Sequence, residues 1–135
     1  MNPVVSRVAG TFTVTGGSEQ SIHEAEGGVR LTRVTGSQLF GGGIVGGGAV
    51  EWVFCYLPDR SARFAGFQRV EGSISGRTGS FVMESAGDHD GRSSRGQWRV
   101  IPGSGTGDLT GLAGEGTFEA PGGPVVSYQL DYRLD

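Results

Sequence analysis

The sequence predicts an all-β fold, an antiparallel β-barrel of about eight strands, on three observations. Short apolar alternations recur along the whole chain, no amphipathic run reaches helical length, and turn-forming residues separate the alternations at close intervals. Connections this short join antiparallel neighbours, because parallel strands need longer crossovers. Closing the sheet would remove its edges, and a two-sheet sandwich is the competing arrangement. The 135 residues suit a single domain, 1–135, that can bury a core without staples.

The first strand is Ala9 to Thr15, with Phe12 and Val14 on one face. Ser18 to Glu26 is the only candidate for a helical turn, closed by Gly27 and Gly28. Val29 to Gln38 follows, with Val29, Leu31 and Arg33 alternating against Arg30, Thr32 and Val34, so an Arg stands on each face. Phe40 to Gly48, with Ile44 and Val45 between two glycine triplets, reads as a loop or a short distorted strand. Ala49 to Leu57 is the most apolar strand, carrying Trp52, Phe54 and Tyr56 on one face and Glu51, Val53 and Cys55 on the other. Pro58, Asp59 and Arg60 form a turn.

Arg63 to Glu71 sets Phe64, Gly66, Gln68 and Val70 opposite Arg63, Ala65, Phe67 and Arg69. Gly72 to Gly76 is a short strand or a turn, and Gly79 to Ser85 is a strand with Phe81 and Met83 together. Gly87 to Gly91 connects it to Ser94–Ile101, where Trp98 and Val100 share a face. Pro102 to Gly107 turns or bulges, and a strand then reaches Leu112. Gly114 to Phe118, a turn at Pro121 to Pro124 and a last strand from Val126 to Leu134 complete the chain.

Glycine supplies 27 of the 135 residues, against an average usage of roughly 7%. Without a three-residue period, this excludes collagen and points to tight hairpins, bulges and bends in a curved sheet. The 11 basic residues, all Arg, and 14 acidic ones give a formal charge of −3, which argues against nucleic acid as a partner. Cys55 is the one cysteine, so no intrachain disulfide is expected and a reducing compartment fits. From Met1 to Arg7 nothing resembles a secretory leader, and no apolar run is long enough for a membrane-spanning helix. The expected location is cytoplasmic, with no membrane partner.

Two runs carry a family likeness. Gly72-Ser73-Ile74-Ser75-Gly76-Arg77-Thr78-Gly79-Ser80-Phe81-Val82-Met83 is similar to the central signature of a bacterial domain family of unknown function. Its members adopt the barrel of plant allene oxide cyclase, a calycin-like fold. Val100 to Leu112, which reads VIPGSGTGDLTGL, resembles the family's second signature, and Gly10–Val14, Gly114–Gly116 and Tyr128–Tyr132 also fit. The family usually continues after its first strand with an aromatic and acidic pair. Here Thr15-Gly16-Gly17-Ser18-Glu19 has no aromatic residue, and Leu39–Gly47 is less acidic than the family's middle segment. The resemblance implies a container for a small apolar or semi-polar molecule, since allene oxide cyclase guides ring closure of an unstable epoxide and related bacterial barrels catalyse cyclisations.

The candidate catalytic residues are Glu51, Tyr56 and Tyr128. Turned inward beside Cys55, Glu51 would be a buried carboxylate suited to proton transfer. Turned outward, it is a surface charge. Tyr56 and Glu51 alternate in direction, so a regular strand cannot aim both at one lumen. Trp52, Phe54, Phe64, Phe81 and Trp98 are either an aromatic pocket wall or simple core. Arg69, on one face of its strand with Glu71, is either an anchor for a substrate carboxylate or half of a cross-strand ion pair. Arg77 reads as an anion grip at a turn or as a structural donor. Gly103–Gly107 lacks the lysine and helix of a phosphate loop. Asp88-His89-Asp90, with His23 as the only other histidine, offers too few ligands for a catalytic metal, and no cofactor is expected.

Three functions follow as expectations. The first is a small-molecule-binding barrel acting as a cofactor-independent cyclase or isomerase on a hydrophobic metabolite. The second is a non-catalytic binder of a lipid-like or aromatic ligand. The third is a structural or regulatory oligomer with a filled barrel. Apolar residues on both faces of several strands make a homodimer or higher homo-oligomer an expectation in each case.

Overall fold

A computed structural model describes residues 5–134. The expectation of no secretory leader, read from Met1 to Arg7, falls partly outside them. Eight antiparallel strands follow one another around a closed barrel: β1 (Ser6–Glu24), β2 (Arg30–Gly42), β3 (Ile44–Tyr56), β4 (Ala62–Ile74), β5 (Arg77–His89), β6 (Ser94–Val100), β7 (Ala113–Ala120) and β8 (Val125–Arg133), with β8 pairing back on β1. The first five expected strands are present and longer, and the last three lie close to their expected bounds, but the strand expected to reach Leu112 is absent: Gly107–Leu109 is a 3-10 turn there. The segment expected as a helical turn belongs to β1 as far as Glu24, because pairing with β2 through Glu24↔Arg30 gives its backbone groups a ladder. Phe40–Gly48 is not a loop: it is the end of β2 and the start of β3, hinged at Gly42 with φ +92°. Ser75 and Gly76, both with positive φ (50° and 82°), make the two-residue turn between β4 and β5 that matches strand twist.

Alternation decides which side chains fill the lumen. Trp52, Phe64, Val70, Phe81, Met83, Trp98, Phe118 and Tyr128 are buried, while Glu51, Arg63, Arg69, Glu84 and Arg99 face out. The interior is packed with rings: Phe12 lies 5.0 Å from Phe40, and Trp98 lies 5.4 Å from Phe118, centroid to centroid. Below them Leu109, at the end of a 3-10 turn (Gly107–Leu109), and Leu112 close one end of the barrel.

Many glycines serve this packing rather than turns. Around one inward tier the register reads Phe54, Phe64, Gly87, Gly96, Phe118, Tyr128, Gly10; around the next it reads Trp52, Gly66, Ser85, Trp98, Gly116, Leu130. Rings occupy the space beside bare backbone. A Cβ at Gly96 would stand 2.2 Å from the Phe118 ring, and one at Gly116 would stand 2.5 Å from the Trp98 indole nitrogen. Turn chemistry alone therefore does not explain the glycine content.

Because Phe118 is buried among other rings, Gly96→Ala is expected to destabilise the barrel by about 1–3 kcal/mol. Ala86→Ser, on the exposed outer face of β5, should stay within about 0.5 kcal/mol. Urea denaturation of both variants checks the contrast.

Candidate functional site

The barrel is staggered, and the stagger opens its wall. β8 pairs with β1 only from Ser6 to Thr13, whereas β1 runs on beside β2 to Glu24. Beyond Thr13 the inner face of the β1–β2 ribbon has no β8 above it. Val14 shares that face with Phe12, yet Val14 is 42% exposed and Phe12 only 1%. A register shift between Val14 and Gly16 then brings Gly17 opposite Gly36, so no side chain fills the centre of the ribbon. The result is a hollow of about 360 Å³ lined by Val14 to Glu19 and by Val34 and Thr35.

Glu19 supplies the polar group at this mouth. Its Oε2 accepts hydrogen bonds from the Thr32 hydroxyl at 2.7 Å and the Tyr56 hydroxyl at 2.6 Å. Thr32 is fully buried, so that donor is fixed by packing. The Tyr56 ring stacks on Phe54 at 5.7 Å, and Phe54 stacks on Phe64 at 4.9 Å. The Arg30 guanidinium carbon sits 5.5 Å from the Tyr56 ring centroid, within reach of a cation–π contact. At the same rim, His89 Nδ1 and the Ser94 hydroxyl share a 2.8 Å hydrogen bond.

These contacts separate two proton affinities. Burial pushes the Tyr56 phenol up, and the hydrogen bond to Glu19 and its charge add to this, reaching about 12. Burial would also raise the Glu19 carboxyl, but the bonds from Thr32 and Tyr56 and the charge of Arg30 outweigh it and hold the group below its ordinary value. At neutral pH the pair is therefore a protonated phenol and an ionised carboxylate. Tyr56 can donate a hydrogen bond and is a poor base. Both bonds fall on Oε2, which leaves Oε1 for another donor.

The other sequence candidates divide by face. Glu51 points out and pairs with Arg33 at 2.5 Å, both side chains being about half exposed. Cys55 also lies on the outer face, half-buried, across from Arg63. A lumenal acid at Glu51 is thus corrected, and so is a lumenal thiol at Cys55. The inward set is Trp52, Phe54 and Tyr56, and a regular strand turns the intervening residues away. Tyr128 does point inward, but its oxygen is committed: it accepts from the Ile44 N–H and donates to the Gly41 carbonyl, each at 2.8 Å. It clasps the β2–β3 hairpin.

Trp52 is buried and donates to Ser85 at 2.7 Å, and Phe64, Phe81 and Trp98 are core. Arg69 is exposed on the outside and pairs with Glu71 of its own strand at 3.3 Å. Of the proposed site residues, Tyr56 and Phe54 stand at the mouth. Glu19, Thr32, Arg30 and Val14 escaped notice. Of these only Glu19 lies in a stretch the sequence singled out, Thr15–Glu19, which lines the hollow.

Among the described residues no group of three or more His, Cys, Asp or Glu side chains is gathered to hold a metal. Nor, among these residues, is any helix long and apolar enough to cross a membrane. A second, larger groove of about 720 Å³ crosses the outer face of β3–β7 over Ala65, Ala86 and Thr117.

A spectrophotometric titration should find one tyrosine ionising near pH 12, and Glu19→Gln should lower that value while leaving the contribution of burial. The phenol holds its proton more tightly folded than unfolded, so its contribution to stability is complete below about pH 10 and is lost as pH rises towards 12. Glu19 acts oppositely: its contribution is present above the ordinary carboxylate range and fades as pH falls through its lowered value.

A solved structure of a protein of unknown function from Shewanella oneidensis MR-1, of the DUF3224 family, is similar over 98% of both chains, with a TM-score of 0.79 and 26% identity. No curated protein matches the chain. The family model described as "Protein of unknown function (DUF3224)" matches residues 8–132. A match over nearly its whole length places this chain in the DUF3224 family, whose function is unknown.

Proposed function

We propose that the barrel binds a small, largely apolar molecule at its open mouth, against Val14 and Val34, with one polar group directed to Glu19 and Tyr56. The observation that carries this reading is the uncovered inner face of β1 beyond Thr13. Lumenal apolar side chains meet solvent there beside a carboxylate whose orientation is fixed by two donors. Binding sites of this type combine an apolar lining with a few placed polar groups. Rings pack the centre of the lumen, so the ligand is seated in the hollow rather than enclosed.

A second reading, a cofactor-independent isomerase or cyclase, draws support from Tyr56. A phenol held protonated can stabilise negative charge developing on a carbonyl or epoxide oxygen, and the hollow can favour one conformer of a flexible substrate. Self-association is a separate proposal. Leu39, Val45, Val53 and Phe67 are exposed on the outer faces of β2–β4, and sedimentation would reveal it.

Val14→Trp adds bulk inside the hollow at an exposed position, so the fold should tolerate it. The wild-type protein should retain small molecules from a bacterial extract, identified by mass spectrometry after desalting and denaturation, and the variant should lose them. Identical retention by both proteins, or none by either, would sink the proposal.

A further inference from the structure

The outer face of β4–β7 carries its charges in rows. Register sets Arg63, Asp88, Arg95 and Glu119 side by side across the four strands, all exposed and alternating in sign. Four residues further along each strand, Phe67, Glu84, Arg99 and Glu115 stand abreast in the same way. On this face β5 is therefore acidic, β6 basic and β7 acidic. Between the charged rows lies a low one, Ala65, Ala86, Gln97 and Thr117. The groove of about 720 Å³ and a neighbouring one of about 530 Å³ share Ala86, Gln97 and Thr117, so the low row is the floor of one trough. Within the chain Asp88 and Arg95 form an ion pair, at 3.9 Å. Among the described residues Arg63, Glu84, Arg99, Glu115 and Glu119 form none, although opposite charges stand beside them.

This pattern is complementary to itself. A second copy, turned about a two-fold axis that runs along the strands midway between β5 and β6, sets its β6 against β5 and its β7 against β4. Asp88 then meets Arg95 of the partner subunit, Glu84 meets Arg99 of the partner subunit, and Arg63 meets Glu119 of the partner subunit. The symmetry repeats each pair once more. In the low row Gln97 enters the space over Ala86 of the partner subunit, a long side chain over a short one. Glu115, set against Phe67 of the partner subunit at the margin, is the exception. A two-fold axis running across the strands instead lays β5 on β5 and β6 on β6, with Asp88 facing Glu84 and Arg95 facing Arg99. Like charges oppose that arrangement. A barrel wall curves away on either side, so contact centres on β5 and β6, and the long Arg63 and Glu119 side chains bridge the flanks.

We propose that two copies of this chain pair face to face through β4–β7, about the axis between β5 and β6. The inference rests on the self-association proposed above: Val53 lines the trough and Phe67 stands at its margin, and the charge rows specify how the copies are turned. Single exposed ion pairs contribute little. Arrayed across an interface, they select the partner and fix its orientation.

Reversing charge tests this on the full chain by sedimentation velocity over a range of concentrations. The wild-type protein should form dimers. Arg95→Glu/Arg99→Glu makes both central strands acidic, and Glu84→Arg/Asp88→Arg makes both basic. Each variant alone should be monomeric where the wild type is dimeric, and their equimolar mixture should restore a dimer containing one of each. Circular dichroism checks that both fold. Ala86→Trp, which blocks the place of Gln97 and leaves every charge, should also be monomeric, and it carries the test if a reversal unfolds. A dimer that persists in Ala86→Trp or in either folded reversal, or a mixture of folded variants that stays monomeric, overturns this face and leaves self-association standing. A wild-type protein that is monomeric throughout sinks both.

Discussion

Closure of an eight-stranded sheet around aromatic rings is the constraint from which the other features follow. The enclosed space is narrow, and the rings inside it need bare backbone beside them. The inward tiers meet this by setting Phe64 against Gly87, Phe118 against Gly96 and Trp98 across from Gly116. Glycine inside a strand weakens it locally. Here the loss is offset by ring burial, each ring removing a large apolar area from water. The same packing fixes which face of every strand points inward, and so sends Glu51, Cys55 and Arg69 outside.

The stagger that closes the barrel also leaves one part of its inner face uncovered. β1 pairs with β8 along its first part and with β2 along the remainder, so the inner face from Val14 onwards meets solvent. A hollow forms where the wall is single, and the polar groups collect there. Thr32 and Tyr56 hold Glu19 ionised, and Glu19 keeps the Tyr56 phenol protonated. The interior is therefore packed with rings at its centre, and a charged and polar cluster stands at its edge.

Much of the fold was legible because a two-residue period and short turns leave few alternatives. The inward face of Ala49–Leu57 could have been settled from the aromatic set alone, since three rings on one side outweigh one valine and one thiol. The mouth was harder. Ser18–Glu26 is polar enough to pass for a turn, and only the pairing of Ser18–Glu24 with Arg30–Thr35 makes it a strand. Glu19 lies 13 residues from Thr32 and 37 from Tyr56 in sequence, so the cluster exists only once the register is known. The charges of β4–β7 likewise fall into rows only across strands. Local pattern shows which way a side chain points, whereas a site depends on what the register sets opposite it.

The central claim is that ligand recognition resides on the uncovered inner face of β1–β2. Its most direct measurement is a backbone amide correlation spectrum recorded with and without the small-molecule fraction of a bacterial extract. The account predicts shifts grouped at Val14–Glu19 and Thr32–Thr35, with Trp98 and Phe118 unmoved. Shifts centred on the outer face of β3–β7, or an unchanged spectrum, would contradict it.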